Sequence, residues 1–232
     1  MMTRDEQILA HIGLYRLTFR RVLSVLFFDG CTPGNVVQRL LAEGRIQARG
    51  GLPERLRYYQ LTPTEARRRG LPIARSRPLK PQAFQSHLGV LWFACIGSQK
   101  ETPRRRLDRD ALLKLFGPDF PKGPHCLEGG AKPCVWRVHV TGVRTDDTAL
   151  VKLLKRRIEM LQKHETLGAW IRNRQYALAL LADTEGRRRR LLEVTKNHGL
   201  DHRTKVVVEY CPSHASAPAA LRAEKRGPRT EE

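Results

Sequence analysis

The sequence predicts an α+β protein in two parts: a helix-rich N-terminal module closing in a two-stranded hairpin, and a small α/β domain behind it. Three observations carry that expectation. The run Tyr58-Tyr59-Gln60-Leu61-Thr62-Pro63-Thr64-Glu65 reads as a strand handing over to a helix. Tyr59 and Leu61 alternate as a buried face, Thr62 caps, Pro63 takes the first helical position and Glu65 completes a capping box. Upstream of this junction, apolar residues recur at helical spacing in three successive segments. Beyond Gly123, β-branched runs alternate with amphipathic stretches.

The elements of the first part follow in order. Asp5 and Glu6 suit the N-terminus of a helix carrying Ile8, Leu9 and Ile12, with Gly13 as its expected stop. Thr18 is the expected cap of a second helix with the stripe Phe19, Val22, Leu23, Leu26 and Phe27, and Asp29-Gly30 turns the chain. Thr32-Pro33 opens a third helix over residues 33–43, with Val36, Val37, Leu40 and Leu41 inward and Gly44 as its stop. Asn35, Gln38 and Arg39 share its opposite face. Residues 45–49 and 57–61 are the expected hairpin strands around a tip at 50–54. Three helices followed by such a hairpin are the order of a winged helix, over residues 1–70. Amides and guanidinium groups read base edges bidentately, which makes Asn35, Gln38 and Arg39 candidates for the major groove of DNA. Arg49, Arg55 and Arg57 are candidates for phosphates or the minor groove. On spacing alone, a solvated helix face is an equal alternative for the first three.

Residues 71–81 carry three prolines and three basic residues and read as an extended, solvated linker. The second part, residues 82–212, opens with a helix whose apolar stripe is Phe84, Leu88, Leu91, Trp92 and Cys95, broken at Gly97. A basic segment follows over 100–122, with Arg104-Arg105-Arg106 and a short helix around Leu112, Leu113 and Leu115. A strand at 135–140, a helix at 148–165, a strand at 176–181, a helix at 187–197 and a strand at 205–210 then imply a small sheet with crossover helices. Lys155 and Arg156, beside Lys152 and Arg157, and Arg187 and Arg188, which begin a run to Arg190, would extend a phosphate track if they face the hairpin's side. Trp136 and Trp170 are expected in the core, and residues 213–232 as a disordered tail.

Charge points toward polyanions. Forty-three Lys plus Arg face 23 Asp plus Glu, for a formal net charge of +20, and counterion release from a phosphate backbone is the corresponding source of affinity. A membrane partner is not expected, since no apolar run approaches a spanning length and the N-terminus lacks a signal-peptide core. A soluble, cytoplasmic protein is the expectation. Five scattered cysteines argue against a disulfide framework. His125, Cys126, Cys134 and His139, with Cys211 and His214, match no zinc spacing because no C-x-x-C knuckle is present, so no metal and no cofactor is expected.

A helical module ending in Tyr-x-Leu-Thr (residues 59–62), a proline-bearing linker, a helix with an aromatic stripe and a small α/β domain together resemble the replication-relaxation family of plasmid and mobile-element proteins. The resemblance covers the chain to about Pro212. It implies DNA binding in plasmid replication, mobilisation or transcriptional control. Together with the third-helix and hairpin candidates, this makes sequence-selective binding of double-stranded DNA the expected function, with a homodimer as a further candidate partner. The resemblance also implies a second domain resembling a degenerate PD-(D/E)XK nuclease fold. A metal-dependent nuclease is therefore the rival, and an interaction module that only retains the winged-helix fold is a third reading. The nuclease needs converging carboxylates and a Lys, whereas Val135-Trp136-Arg137-Val138-His139-Val140 has none. Glu128 is the upstream candidate, and Asp146-Asp147 suit a helix cap. No catalytic residue is expected.

Overall fold

Thr3 accepts a hydrogen bond from the Glu6 amide and so starts the first helix, α1 (Arg4–Tyr15), in the computed structural model, which describes residues 2–96, 103–118, 120–142 and 145–223. Gly13 does not stop this helix. It lies inside it and is buried, and a Cβ there would sit 2.9 Å from Leu71 Cδ1, so the glycine serves close approach rather than termination. The stop is Arg16, in the left-handed region at φ 71°.

The second helix, α2 (Arg20–Phe27), has no side-chain cap. Thr18, the expected cap, is buried in an isolated antiparallel bridge to Tyr59, and its hydroxyl lies 3.1 Å from His11 Nε2. Val22 and Leu23 are buried whereas Leu26 is 39% exposed, so the expected stripe is narrower than its sequence spacing. The third helix, α3 (Gly34–Ala42), buries Val37 and Leu40 against Ile8, Leu9, Ile12 and Leu23. Gly44, at φ 63°, lies just beyond its end.

Strands β1 (Ile46–Arg49) and β2 (Tyr58–Leu61) pair antiparallel, with Ile46 opposite Leu61 and Arg49 opposite Tyr58. Thr62 then caps α4 (Pro63–Arg68) by accepting from the Glu65 amide at 3.2 Å. The reciprocal half of the expected capping box is not formed: the Thr62 amide donates to the Arg45 carbonyl, and the Glu65 carboxylate faces Arg45 and Arg69.

Residues 71–81 are not a solvated linker. A 3₁₀ turn at Ile73–Ser76 buries Ser76. Arg75 donates to the Gly13 carbonyl, Arg16 to Ala74 at 2.7 Å and Gln47 to Ser76 at 2.8 Å. Backbone carbonyls, invisible to a composition argument, hold the segment in place. The chain divides instead within α5 (Pro81–Cys95). Described residues up to Leu91 form one compact unit together with those from Pro212 onward, and Trp92–Cys211 form a second. The C-terminal segment, expected to be disordered, contains α10 (Ala217–Ala223), with Ala217, Pro218 and Leu221 buried. His214 N–H donates to Gln85 Oε1 at 2.9 Å, and Arg222 pairs with Glu54. Gly97, Lys100 and the tail after Ala223 lie outside the described residues.

The second unit is a five-stranded mixed sheet in the order β3 (Arg104–Leu107), β4 (His125–Glu128), β5 (Cys134–Val140), β6 (Tyr176–Ala182), β7 (Lys205–Tyr210). The first three strands pair antiparallel, the last three parallel. The helix expected at 148–165 is two, α7 (Asp147–Leu161) and α8 (Glu165–Arg172). These and α9 (Glu185–Asn197) connect the parallel strands, and α6 (Arg109–Phe116) precedes β4. Val135, Tyr176, Leu178 and Leu180 face Leu154, Ile158, Leu167 and Leu191 in one core. Trp136 is buried, and Trp170 packs edge-on against Phe116, as expected of core aromatics. The sheet edge β3–β4 is the part that sequence patterning does not predict. The chain is thus α+β, with helices leading at the N-terminus and a mixed sheet behind them.

Candidate nucleic-acid interface

The third helix presents the first group of candidates. With Val37 and Leu40 turned inward, Asn35, Gln38 and Arg39 are exposed, as the 3.6-residue period requires. Asn35 and Gln38 lie three residues apart, and their amides have no partner among the described residues. Arg39 differs: its Nη2 donates to both carboxylate oxygens of Asp5, at 2.8 and 2.6 Å, and its Nε lies 4.0 Å from Glu43. The arginine side chain is 54% exposed, which limits that pair to about 0–1 kcal/mol, so an outside acceptor can displace it.

Helices α2 and α3 share a feature with α8, whose N-cap His164 also makes no side-chain cap bond. Each starts without a side-chain cap, at Phe19 and Pro33 respectively, whereas Thr3, Thr62, Asp108, Asp146 and Thr184 cap α1, α4, α6, α7 and α9. The first-turn N–H groups of α2 and α3 thus have no side-chain acceptor of this kind.

On the hairpin, the three arginines separate. Arg49 is half-buried and donates to the Ser76 carbonyl at 3.2 Å, which turns it away from the tip. Arg55 and Arg57 are exposed and have no partner among the described residues. The tip folds into a 3₁₀ turn, Pro53–Arg55, in which Glu54 and Arg55 take φ of 55° and 56°, and Leu52 beneath it is buried. A cation that sequence reasoning passed over joins them: exposed Arg20, at the start of α2, donates from Nε to the Tyr59 hydroxyl at 3.1 Å. The Arg20-Arg21 doublet beside the expected helix start was the available signal.

In the second unit most of the predicted cations are committed to the fold. Arg187 is buried and donates to Asp147 at 2.6 Å and to the carbonyls of Gly142 and Thr145 at 2.6 and 2.8 Å, so it does not extend a phosphate track. Lys155 donates to the His198 carbonyl at 2.9 Å, just beyond the end of α9, where a cation suits the helix dipole. Arg188 is held by Glu185 three residues before it. Arg156 remains exposed, with no partner among the described residues.

The carboxylates that a metal-dependent nuclease would use are likewise engaged. Glu128 accepts from Arg104 at 2.9 Å and from the Trp136 indole at 3.1 Å. Asp146 caps α7, and Asp147 pairs with Arg187 and Arg190. These residues border a cleft of about 450 Å³ together with Asp183, Thr184 and Thr148. Among the described residues, no three His, Cys, Asp or Glu side chains are arranged to hold a metal. Burial pushes the Cys126 thiol up to about 12 and Cys134 up to about 11, which keeps both from acting as thiolates at neutral pH. No helix among the described residues is long and apolar enough to cross a membrane. Comparison with protein-family models, curated proteins and solved structures finds no match for the chain.

Proposed function

We propose that this protein is a sequence-selective binder of double-stranded DNA, in which α1–α3 and the β1–β2 hairpin act as a winged helix with α3 in the major groove. The observation that carries the reading is the pair of unengaged amides, Asn35 and Gln38, on the exposed face of α3. A side-chain amide matches the N6 and N7 edge of adenine bidentately, and buried structural amides would already be bonded. Arg39 adds a guanidinium that reaches a base or phosphate by releasing Asp5. The first-turn amides of α2 and α3, which lack side-chain caps, suit phosphate oxygens. Arg55, Arg57 and Arg20 supply backbone contacts, and the net charge of +20 supplies long-range attraction. If the resemblance to replication-relaxation proteins holds, such binding would serve plasmid or mobile-element replication, mobilisation or transcription. The second unit serves protein contacts, dimerisation or auxiliary DNA binding.

Selection of bound duplexes from a random pool, with a parallel incubation in Mg²⁺, tests this reading. An enriched motif without cutting supports it. Cutting makes the nuclease the better account, and neither outcome leaves only an interaction module.

A further inference from the structure

Buried arginines of the second unit come with carboxylates, with one exception. Arg104 is held by Glu128 and Glu209, and Arg187 by Asp147, with Asp183 at 4.0 Å. Arg137 is 8% exposed and has no carboxylate partner among the described residues. Its Nη2 donates to the Lys122 carbonyl at 3.0 Å, the guanidinium also hydrogen-bonds the Tyr176 hydroxyl, and its Nε is buried without an acceptor. An arginine does not shed its proton, so a fixed charge sits largely out of water with its Nε–H unused and no carboxylate among the described residues to balance it.

Its neighbours have the same character. His125 lies directly opposite Arg137 across β4 and β5, and His139 shares its face two residues along β5. The Tyr176 hydroxyl, from β6, lies 3.2 Å from His125 Nε2. His139 Nε2 is a second buried nitrogen with no partner. Burial, then the charges of Arg137 and Arg157, lowers His139 to about 3. Burial, then Arg137, lowers His125 to about 4. Arg157, on α7, is half-buried, and its charge acts on both Arg137 and His139. Exposed Lys122 and Gly123 border the cluster, and His139 and Arg157 are only half-buried, so it reaches solvent at that edge. A Cβ on Gly123 would lie 3.7 Å from Arg137 Nε, which puts this turn against the guanidinium.

We propose that Arg137, His139 and Arg157, with Tyr176 and His125 behind them, form a binding subsite for a phosphate group. Two guanidinium charges and N–H donors from separate elements suit a tetrahedral dianion, which accepts bonds in several directions at once. The phosphate is either a free anion or the terminal phosphate of a nucleic acid. The proposal stands on the second unit alone and does not rest on the reading of α3.

Calorimetric titration of the full-length protein with inorganic phosphate, against chloride at equal ionic strength, tests it. Saturable binding of one phosphate per chain is expected. Arg137→Gln should abolish it, and His139→Phe, which leaves the arginine in place and removes the ring N–H, should weaken it roughly tenfold, as the loss of one charge-assisted bond does. If Arg137→Gln fails to fold, His139→Phe and Arg157→Gln carry the test. Displacement of phosphate by a 5′-phosphorylated oligonucleotide but not by its 5′-hydroxyl form assigns the terminal phosphate. No displacement by either assigns the free anion, and both results sustain the site. The absence of any phosphate effect beyond that of chloride would overturn it, as would binding that survives unchanged in His139→Phe and Arg157→Gln.

Discussion

Replacing Glu65 by Gln tests how the first unit is held together. Glu65 is 3% exposed and stands between two arginines, Arg45 at 3.2 Å and Arg69 at 2.7 Å, with Arg68 at 3.4 Å. Arg45 and Arg69 also share Glu6, so four charges tie α1, the start of β1 and α4. Removing one partner of a buried ion pair costs about 3–5 kcal/mol, because the opposite charge is left uncompensated. Here the side chains of Arg45 and Arg69 keep 17% and 16% of their surface and retain Glu6, which places the expected loss near the lower end, about 3 kcal/mol. The matched control is Asp5→Asn, which breaks an exposed pair and should cost under about 1 kcal/mol. Amide exchange in peptides from α1, β1 and α4 measures both. Burial pushes the Glu65 carboxyl up, but bonds from Arg45 and Arg69 outweigh it and hold the group below its ordinary 4.5. Its stabilising contribution is therefore present above pH 4.5 and lost as pH falls below it, so the gap between wild type and Glu65→Gln should close in acid. A loss no larger than that of Asp5→Asn at neutral pH would refute the argument.

Four further outcomes follow from burial and backbone geometry. Of five cysteines only Cys31 is exposed, so native protein should form one mixed disulfide with an aromatic disulfide reagent, releasing one equivalent of aromatic thiolate, and Cys31→Ser none. Gly168→Ala would place a Cβ 2.4 Å from the Gln162 carbonyl oxygen and should destabilise by about 1–3 kcal/mol. Gly186→Ala meets open space in the first turn of α9 and should stabilise by about 0.5–1 kcal/mol, both read as shifts in urea midpoint. Burial lowers His11 to about 3, so the unfolded chain takes up its proton first as pH drops below 6.5. Stability should fall through that window by up to about 1.4 kcal/mol per pH unit for this group, and His11→Gln should remove that part of the slope.

Local patterning anticipated what local chemistry decides. The α3 stripe, the α1 N-terminus, the Thr62 cap and the Asp146 cap are set by residues within one turn of each other, and all four stand where periodicity and capping preferences put them. What patterning missed depends on partners far along the chain. Glu65 leaves its capping role because Arg45 and Arg69 compete for its carboxylate, and Thr18 leaves its own because Tyr59 pairs with it across the chain. All four residues of β2 are buried, where alternation predicts two. Tyr58 is covered by Phe84, and Gln60 donates to the Arg16 carbonyl. β3 has no apolar alternation, since Arg104 is stabilised by carboxylates on β4 and β7. The same long-range pairing separates the candidate residues. Asn35, Gln38, Arg55, Arg57 and Arg156 stay in solvent, whereas Arg49, Lys155 and Arg187 are bonded to carbonyls or carboxylates that no spacing rule identifies.

The most direct test of DNA recognition by α3 is the affinity of wild type and Gln38→Ala for the duplex enriched from a random pool and for a scrambled duplex, at one salt concentration. Base-edge recognition predicts that Gln38→Ala loses about 1–3 kcal/mol on the enriched site and much less on the scrambled one. Equal losses on the two duplexes, or a pool from which no motif is enriched, would contradict it.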